Sequence, residues 1–141
     1  MHVNLRRPAP PTYTITQLCR EFGATPRALR FYEEEGLLFP ARWQTQRVYS
    51  HKDRARLQLI LRGRRVGLSI AAIRDILDAY EEEGEAAQNA RALRAFRQRM
   101  KALEAQRRQV DEALEALNAA SDRLARQYPE ASGPDGTAGG R

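Results

Sequence analysis

Residues 13–36 read YTITQLCREFGATPRALRFYEEEG, and the fold turns on this stretch. Ile15, Leu18, Cys19 and Phe22 recur at i, i+3, i+4 and i+7, which places them on one apolar stripe of a helix over 15–22. Thr14 and Gln17 make a capping-box pattern at its start, and Gly23 stops it. Thr25 is placed to cap a second helix. Pro26 stands at its first position, where a missing N–H costs little, and Gly36 ends it. Leu29 and one of the aromatics Phe31 and Tyr32 must face the first helix, whereas Arg27 and Arg30, three apart, share another face. Two short helices joined by a turn of about three residues form a helix-turn-helix pattern. The second helix of such a pair fits a major groove roughly 12 Å wide. Cys19, on the apolar stripe, reads as a small core side chain.

Outward from this pair, LLFPARWQTQRVYS occupies 37–50. Pro40 breaks helix, and Arg42-Trp43 and Arg47-Val48-Tyr49 read as two extended arms of a small hairpin, or wing, around Gln44, Thr45 and Gln46. Arg42, Arg47 and Tyr49 on such a wing suit phosphate contact. A third helix starts at the Ser50 cap, with Asp53 three residues on, and runs to Val66 along Leu57, Ile60 and Leu61. Gly67 ends it. Ser69 caps a fourth helix with the stripe Ile70, Ile73, Ile76, Leu77 and Tyr80.

Residues 86–126 then run without Gly or Pro, dominated by Ala, Arg, Leu, Glu and Gln. At ~1.5 Å per residue such a helix is roughly 60 Å long. Leu93, Phe96, Met100, Leu103, Val110, Leu114, Leu117 and Leu124 keep alternating steps of three and four, with Arg107 and Ser121 filling the gaps. That is a heptad seam, and one helix cannot bury it alone, so a second copy of the chain is the expected partner. The expected domains are a disordered leader over 1–11 and a winged helix-turn-helix domain with its helix pair over 12–80. A linker over 81–85, a coiled-coil dimerisation helix over 86–127 and a disordered tail over 128–141 follow. The fold class is mostly α.

Charge points to the partner of the first part. The chain has 141 residues and a net charge of +6. Residues 1–80 hold fourteen Lys/Arg and seven Asp/Glu, a net of +7, and residues 81–141 hold ten and eleven, a net of −1. A basic domain beside a near-neutral one fits a polyanion, most simply nucleic acid. No apolar run reaches the ~18 residues of a membrane span, and no apolar segment follows Met1, so a cytoplasmic protein is expected. The single cysteine excludes an internal disulfide and a thiolate cage within one chain. No catalytic residue, metal site or cofactor site is expected. Cys19 lies on a core stripe, His2 in the leader and His51 beside a helix cap, and there is no Gly-rich phosphate loop.

The order helix-turn-helix, wing, helix pair and long dimerising helix resembles the mercury-resistance-regulator (MerR) family of bacterial transcription factors. The matching text is YTITQLCREFGATPRALRFYEEEGLL, ARWQTQRVYS and DRARLQLILRGRRVGLSIAAIRDILD, covering residues 13–78 almost without gaps. The resemblance implies a winged helix-turn-helix domain and a homodimer held by an antiparallel coiled coil. It implies binding and distortion of double-stranded promoter DNA, with RNA polymerase as a further partner there. Carried over by motif, Thr25, Arg27, Arg30 and Tyr32 belong to the recognition helix and Arg42, Arg47 and Tyr49 to the wing, and these seven are the expected DNA contacts. Phe31 stands where many members have Tyr, and the wing tip lacks the family's common Gly. The paired cysteines of metal-sensing members, the clustered cysteines of redox members and the appended ligand domain of drug-sensing members have no counterpart here. The short build and the wording RVYS and LILRGRRVGLS look most similar to members linked to branched-chain amino-acid and fatty-acid breakdown. The alternative reading is an architectural, nucleoid-type DNA binder without an inducer.

Overall fold

The computed structural model of the chain describes residues 10–130. The leader and tail expected over 1–11 and 128–141 lie outside the described residues, except for 10–11 and 128–130. The chain forms two compact units, divided between Phe96 and Arg97.

The first unit opens with β1 (Thr12–Tyr13), followed by α1 (Ile15–Phe22) and α2 (Pro26–Glu34). Thr14 Oγ1 accepts from Gln17 N at 3.1 Å, and Gln17 Oε1 accepts from Thr14 N at 2.8 Å, so the expected capping box forms. Gly23 ends α1 at φ 65°, a left-handed conformation that L side chains resist. Thr25 Oγ1 caps α2 by accepting from Ala28 N at 3.1 Å. The wing is β2 (Ala41–Trp43) and β3 (Gln46–Ser50), antiparallel, with Arg42 opposite Arg47 and Trp43 opposite Gln46. Its loop is therefore the two residues Gln44 and Thr45, and Gln44 takes φ 58° where a glycine would be unstrained. β1 was not legible in the sequence. It pairs with the other edge of β3, Tyr13 opposite Tyr49, giving a sheet of order β1-β3-β2. Two residues are too short to display alternation, and their strand character comes from the pairing.

α3 (His51–Arg65) and α4 (Ile70–Glu83) pack as a pair, capped by Ser50 and Ser69. Leu18, Leu29, Tyr32, Leu37, Leu38, Tyr49, Leu57, Ile60, Leu68, Ile73, Ile76 and Leu77 form one core drawn from every helix of this head and from the wing. Each such large side chain removed from water contributes about 1.5–3 kcal/mol before entropy is charged against it. Tyr80, expected on the buried stripe of α4, is 49% exposed, because the core ends near Leu77 and Ala79.

α5 (Glu85–Gln127) follows after Gly84 alone, so the linker expected over 81–85 is a single residue at φ 91°. The first unit also continues into α5. Arg91 pairs with Asp75 of α4, and Ala92 and Ala95 pack against the core. The second unit holds the rest of α5, in which no residue is buried. Among the described residues, no helix is long and apolar enough to cross a membrane.

At Gly63, α3 lies close against Ile73 of α4 and Leu68. A Cβ there would sit 3.1 Å from Ile73 Cγ1 and Cδ1 and 3.3 Å from Leu68 Cδ1. Gly63→Val adds two further methyl groups with no space to take, and we expect a loss of about 1–3 kcal/mol. Urea unfolding measures this. A wild-type midpoint would show that α3 and α4 do not pack as described.

Candidate nucleic-acid interface

Two groups stand out among the described arginines of the first unit. One group is held by the fold. Arg54 lies against the Glu21 carboxylate, with its guanidinium 5.8 Å from the Tyr13 ring centre and 5.5 Å from that of Phe22. This pairing holds the exposed Glu21 carboxyl below its usual range and raises Arg54. Arg56, 8% exposed, donates from Nε to Leu37 O at 2.8 Å, lies over Phe39 and faces Glu81 at 3.5 Å. Burial lowers its pKa against that help from Glu81. Arg74 donates to the carbonyl and carboxylate of Glu35 at the end of α2. On α3, Arg54 and Arg56 are thus bound internally, and Arg64 Nη1 donates to Leu68 O at 3.2 Å.

The second group faces solvent. Arg27 and Arg30 are exposed on α2, and neither has a carboxylate or hydrogen-bond partner among the described residues. Thr25, exposed at the start of α2, uses a lone pair for Ala28 N and keeps its hydroxyl proton to donate. Beside α2 stand the wing arginines. Arg47 Nε donates to Glu33 Oε2 at 2.8 Å, and Arg42 Nη2 lies 3.8 Å from Glu33 Oε1. Their side chains are 24% and 35% exposed. Thr25, Arg27, Arg30, Arg42 and Arg47 therefore form a cationic and hydroxyl-bearing surface on α2 and the wing, suited to a phosphate backbone and to groove edges.

Residues 13–80 match the MerR HTH family regulatory protein pattern, and residues 54–125 match the MerR DNA-binding pattern. The chain belongs to the MerR family. The matched residues are MerR-family DNA-binding regulator domains, and the family assignment gives no support to an architectural, nucleoid-type binder. An uncharacterised HTH-type transcriptional regulator of Synechocystis, slr0701, is 36% identical over 72 residues, 50% of this chain and 53% of that protein. The chain thus spans about half the length of that curated relative. HiNmlR, a MerR family regulator lacking the sensor domain and crystallised on promoter DNA, shares the fold at a TM-score of 0.55 and 24% identity. That match covers 84% of this chain and 91% of HiNmlR. PbrR691 of Ralstonia metallidurans, solved with lead(II), matches at a TM-score of 0.54 and 29% identity, over 79% of this chain and 84% of its own.

Two of the seven residues carried over from the MerR motif are placed elsewhere by the structure. Tyr32 is 7% exposed and packs in the core, so it is Phe31, 42% exposed, that faces out of α2. The two rings meet at 5.7 Å, tilted by 58°. Tyr49 is fully buried, and its hydroxyl has no hydrogen-bond partner among the described residues. The alternation of β3 explains this. Tyr49 must face the opposite side from Val48 and the same side as Arg47, whose long stem reaches the surface while the shorter phenol stays beneath. Burial pushes the Tyr49 hydroxyl far above its usual pKa, with Glu33 adding to the rise. Glu33 and the exposed Trp43 were absent from the sequence expectation. A hairpin with Arg42 facing Arg47 is itself the missing signal for Glu33, since like charges in that position call for a counterion. Cys19 is partly buried against the core, and burial raises its thiol pKa. Among the described residues there is no cluster of His, Cys, Asp or Glu that could hold a metal ion.

Tyr49→Phe removes an unsatisfied buried hydroxyl and leaves the ring in place. We expect about 1–2 kcal/mol of added stability in thermal unfolding and unchanged DNA affinity. Weaker DNA binding by this variant would return Tyr49 to the interface.

Proposed function

We propose that the chain acts in the cytoplasm as a homodimer that seats one α2 in each of two major grooves of a promoter, with each wing on the flanking phosphates, and so presents distorted DNA to RNA polymerase. Thr25, Arg27, Arg30, Arg42 and Arg47 make the contacts, with no catalytic step and no resident metal or cofactor. The observation that carries this reading is the pair of unpartnered arginines on α2 beside the wing arginines, in a head where Arg54, Arg56 and Arg74 are committed internally.

The homodimer rests on the uncovered seam of α5. Leu93, Phe96, Met100, Leu103, Val110, Leu114, Leu117 and Leu124 are between 41% and 64% exposed in the single chain. A stripe of large apolar side chains at heptad spacing is stable in water only when covered. A second α5, antiparallel as in the MerR family, covers it with the same stripe and puts the two heads at opposite ends. In this proposal the dimerisation helix is 86–127 and the DNA-binding head is 12–80.

Three variants test the proposal on a duplex selected from random-sequence DNA by the wild-type protein. Arg30→Ala is expected to cost about 1–3 kcal/mol of binding and to relax sequence preference in each half-site if Arg30 reads a base. Arg47→Ala is expected to weaken binding to all duplexes alike and to lower the salt slope by about one unit per head. Leu103→Glu, far from α2, places a charge in the seam, and we expect sedimentation to show monomers and selective binding to be lost. Wild-type affinity for folded Arg30→Ala and Arg47→Ala would defeat the docking surface. A wild-type monomer at micromolar concentration would defeat the seam.

A further inference from the structure

The acidic run Glu33-Glu34-Glu35 closes a helix meant for DNA, where it opposes both the helix dipole and the phosphate backbone. The structure gives the three acids different surroundings. Glu35 is taken by Arg74 of α4. Glu34 is exposed. Glu33 is nearly enclosed, its side chain 11% exposed, and its two oxygens face the two wing arginines.

Arg42 and Arg47 are directly opposed across the β2–β3 ladder, the position where two like charges repel most. Glu33 answers that repulsion from another element. It reaches over from α2, accepts from Arg47 Nε at 2.8 Å and stands 3.8 Å from Arg42 Nη2. Arg47 meets it with Nε, and the Nη groups of Arg47 have no protein partner among the described residues, so that edge of the guanidinium is left to accept a phosphate. A carboxylate on one edge and a phosphate on the other is a geometry that the planar, five-donor fork of Arg permits.

We propose that Glu33 is a positioning residue for DNA discrimination, acting through Arg42 and Arg47. Its carboxylate ties the wing to the recognition helix and cancels one of the two wing charges. With one net charge rather than two, the wing attracts random phosphate weakly. With its guanidiniums fixed relative to α2, it meets phosphate best when α2 is seated on its own base sequence. This rests on the proposal that α2 and the wing bind DNA, and the experiment separates the two.

The experiment compares wild type, Glu33→Gln, Glu33→Asp, the double variant Arg42→Ala/Arg47→Ala and the triple variant with Glu33→Gln. Binding is measured on the wild-type-selected duplex and on a scrambled duplex of the same composition, across a range of salt. Circular dichroism and sedimentation establish that each variant is a folded dimer. Glu33→Gln keeps the side-chain shape and removes the charge. We expect it to bind scrambled DNA more tightly, with a salt slope steeper by about one unit per head. The ratio of selected to scrambled affinity is expected to fall by about tenfold, a loss of about 1.4 kcal/mol of discrimination. Glu33→Asp, which keeps the charge, is expected to keep the wild-type slope even if its shorter stem lowers stability. With both arginines gone, Glu33→Gln is expected to change neither slope nor ratio, an outcome that a merely structural role would not produce. The inference is overturned if folded Glu33→Gln keeps the wild-type slope and ratio, or if it loses as much in the double-alanine background. If wild type itself shows no preference for the selected duplex, the DNA-binding proposal fails and takes this one with it.

Discussion

The Asp53 carboxylate holds the DNA-binding head in its shape. It is 3% exposed and accepts from Phe39 N at 3.0 Å, from Ser50 N at 3.1 Å and from Ser50 Oγ at 3.2 Å. Ser50 is the end of the wing and Phe39 lies just before its start, so one buried anion ties both feet of the hairpin to the first turn of α3. Hydrogen bonds to a charged group are worth about 1.5–3 kcal/mol each, and this site near a helix N-terminus further favours the negative charge. Arg56, one turn on, adds its bond to Leu37 O and its contact with Phe39. The short segment between α2 and the wing is thereby fixed by α3, and the distance from α2 to the wing becomes a property of the core.

From that anchoring follows a division of labour among charges of one kind. Arg54, Arg56 and Arg74 lie against Glu21, Glu81 and Glu35. Those on α2 have no such partner and remain available to a polyanion. The wing pair is intermediate, half-exposed and shared with Glu33. Exposed ion pairs contribute little to stability, so the value of these pairings is more in which cations they withdraw from the surface than in energy. Net charge alone, +7 over residues 1–80, could not distinguish these groups.

Much of this was legible in the residues because several local rules agreed. Thr14 with Gln17, Thr25 with Pro26, Ser50 with Asp53 and Ser69 each set a helix start, and each is where the helix begins. The apolar stripe of α1 and the heptad stripe of α5 are visible because a period needs only sequence. What stayed hidden depends on contacts distant in the chain. β1 exists because Tyr13 finds Tyr49. Which of Phe31 and Tyr32 faces inward depends on the surrounding core, and the motif placed Tyr32 and Tyr49 outside where packing places them inside. Ala92 and Ala95 of α5 pack against the core, and nothing about an alanine in a long helix announces that. Glu33 needed the wing register before its role could be seen.

In the proposed complex one dimer carries two such heads and presents them to successive turns of one face of DNA. Hydroxyl-radical footprinting of the wild-type dimer on its selected duplex, with methylation interference at guanine N7 on the same DNA, tests this most directly. Two symmetry-related blocks of major-groove interference are expected, centred one helical turn apart, about 34–36 Å, or a whole multiple of it. Each block is flanked by backbone protection from a wing. A single block, or uniform backbone protection without guanine interference, would contradict the proposed complex.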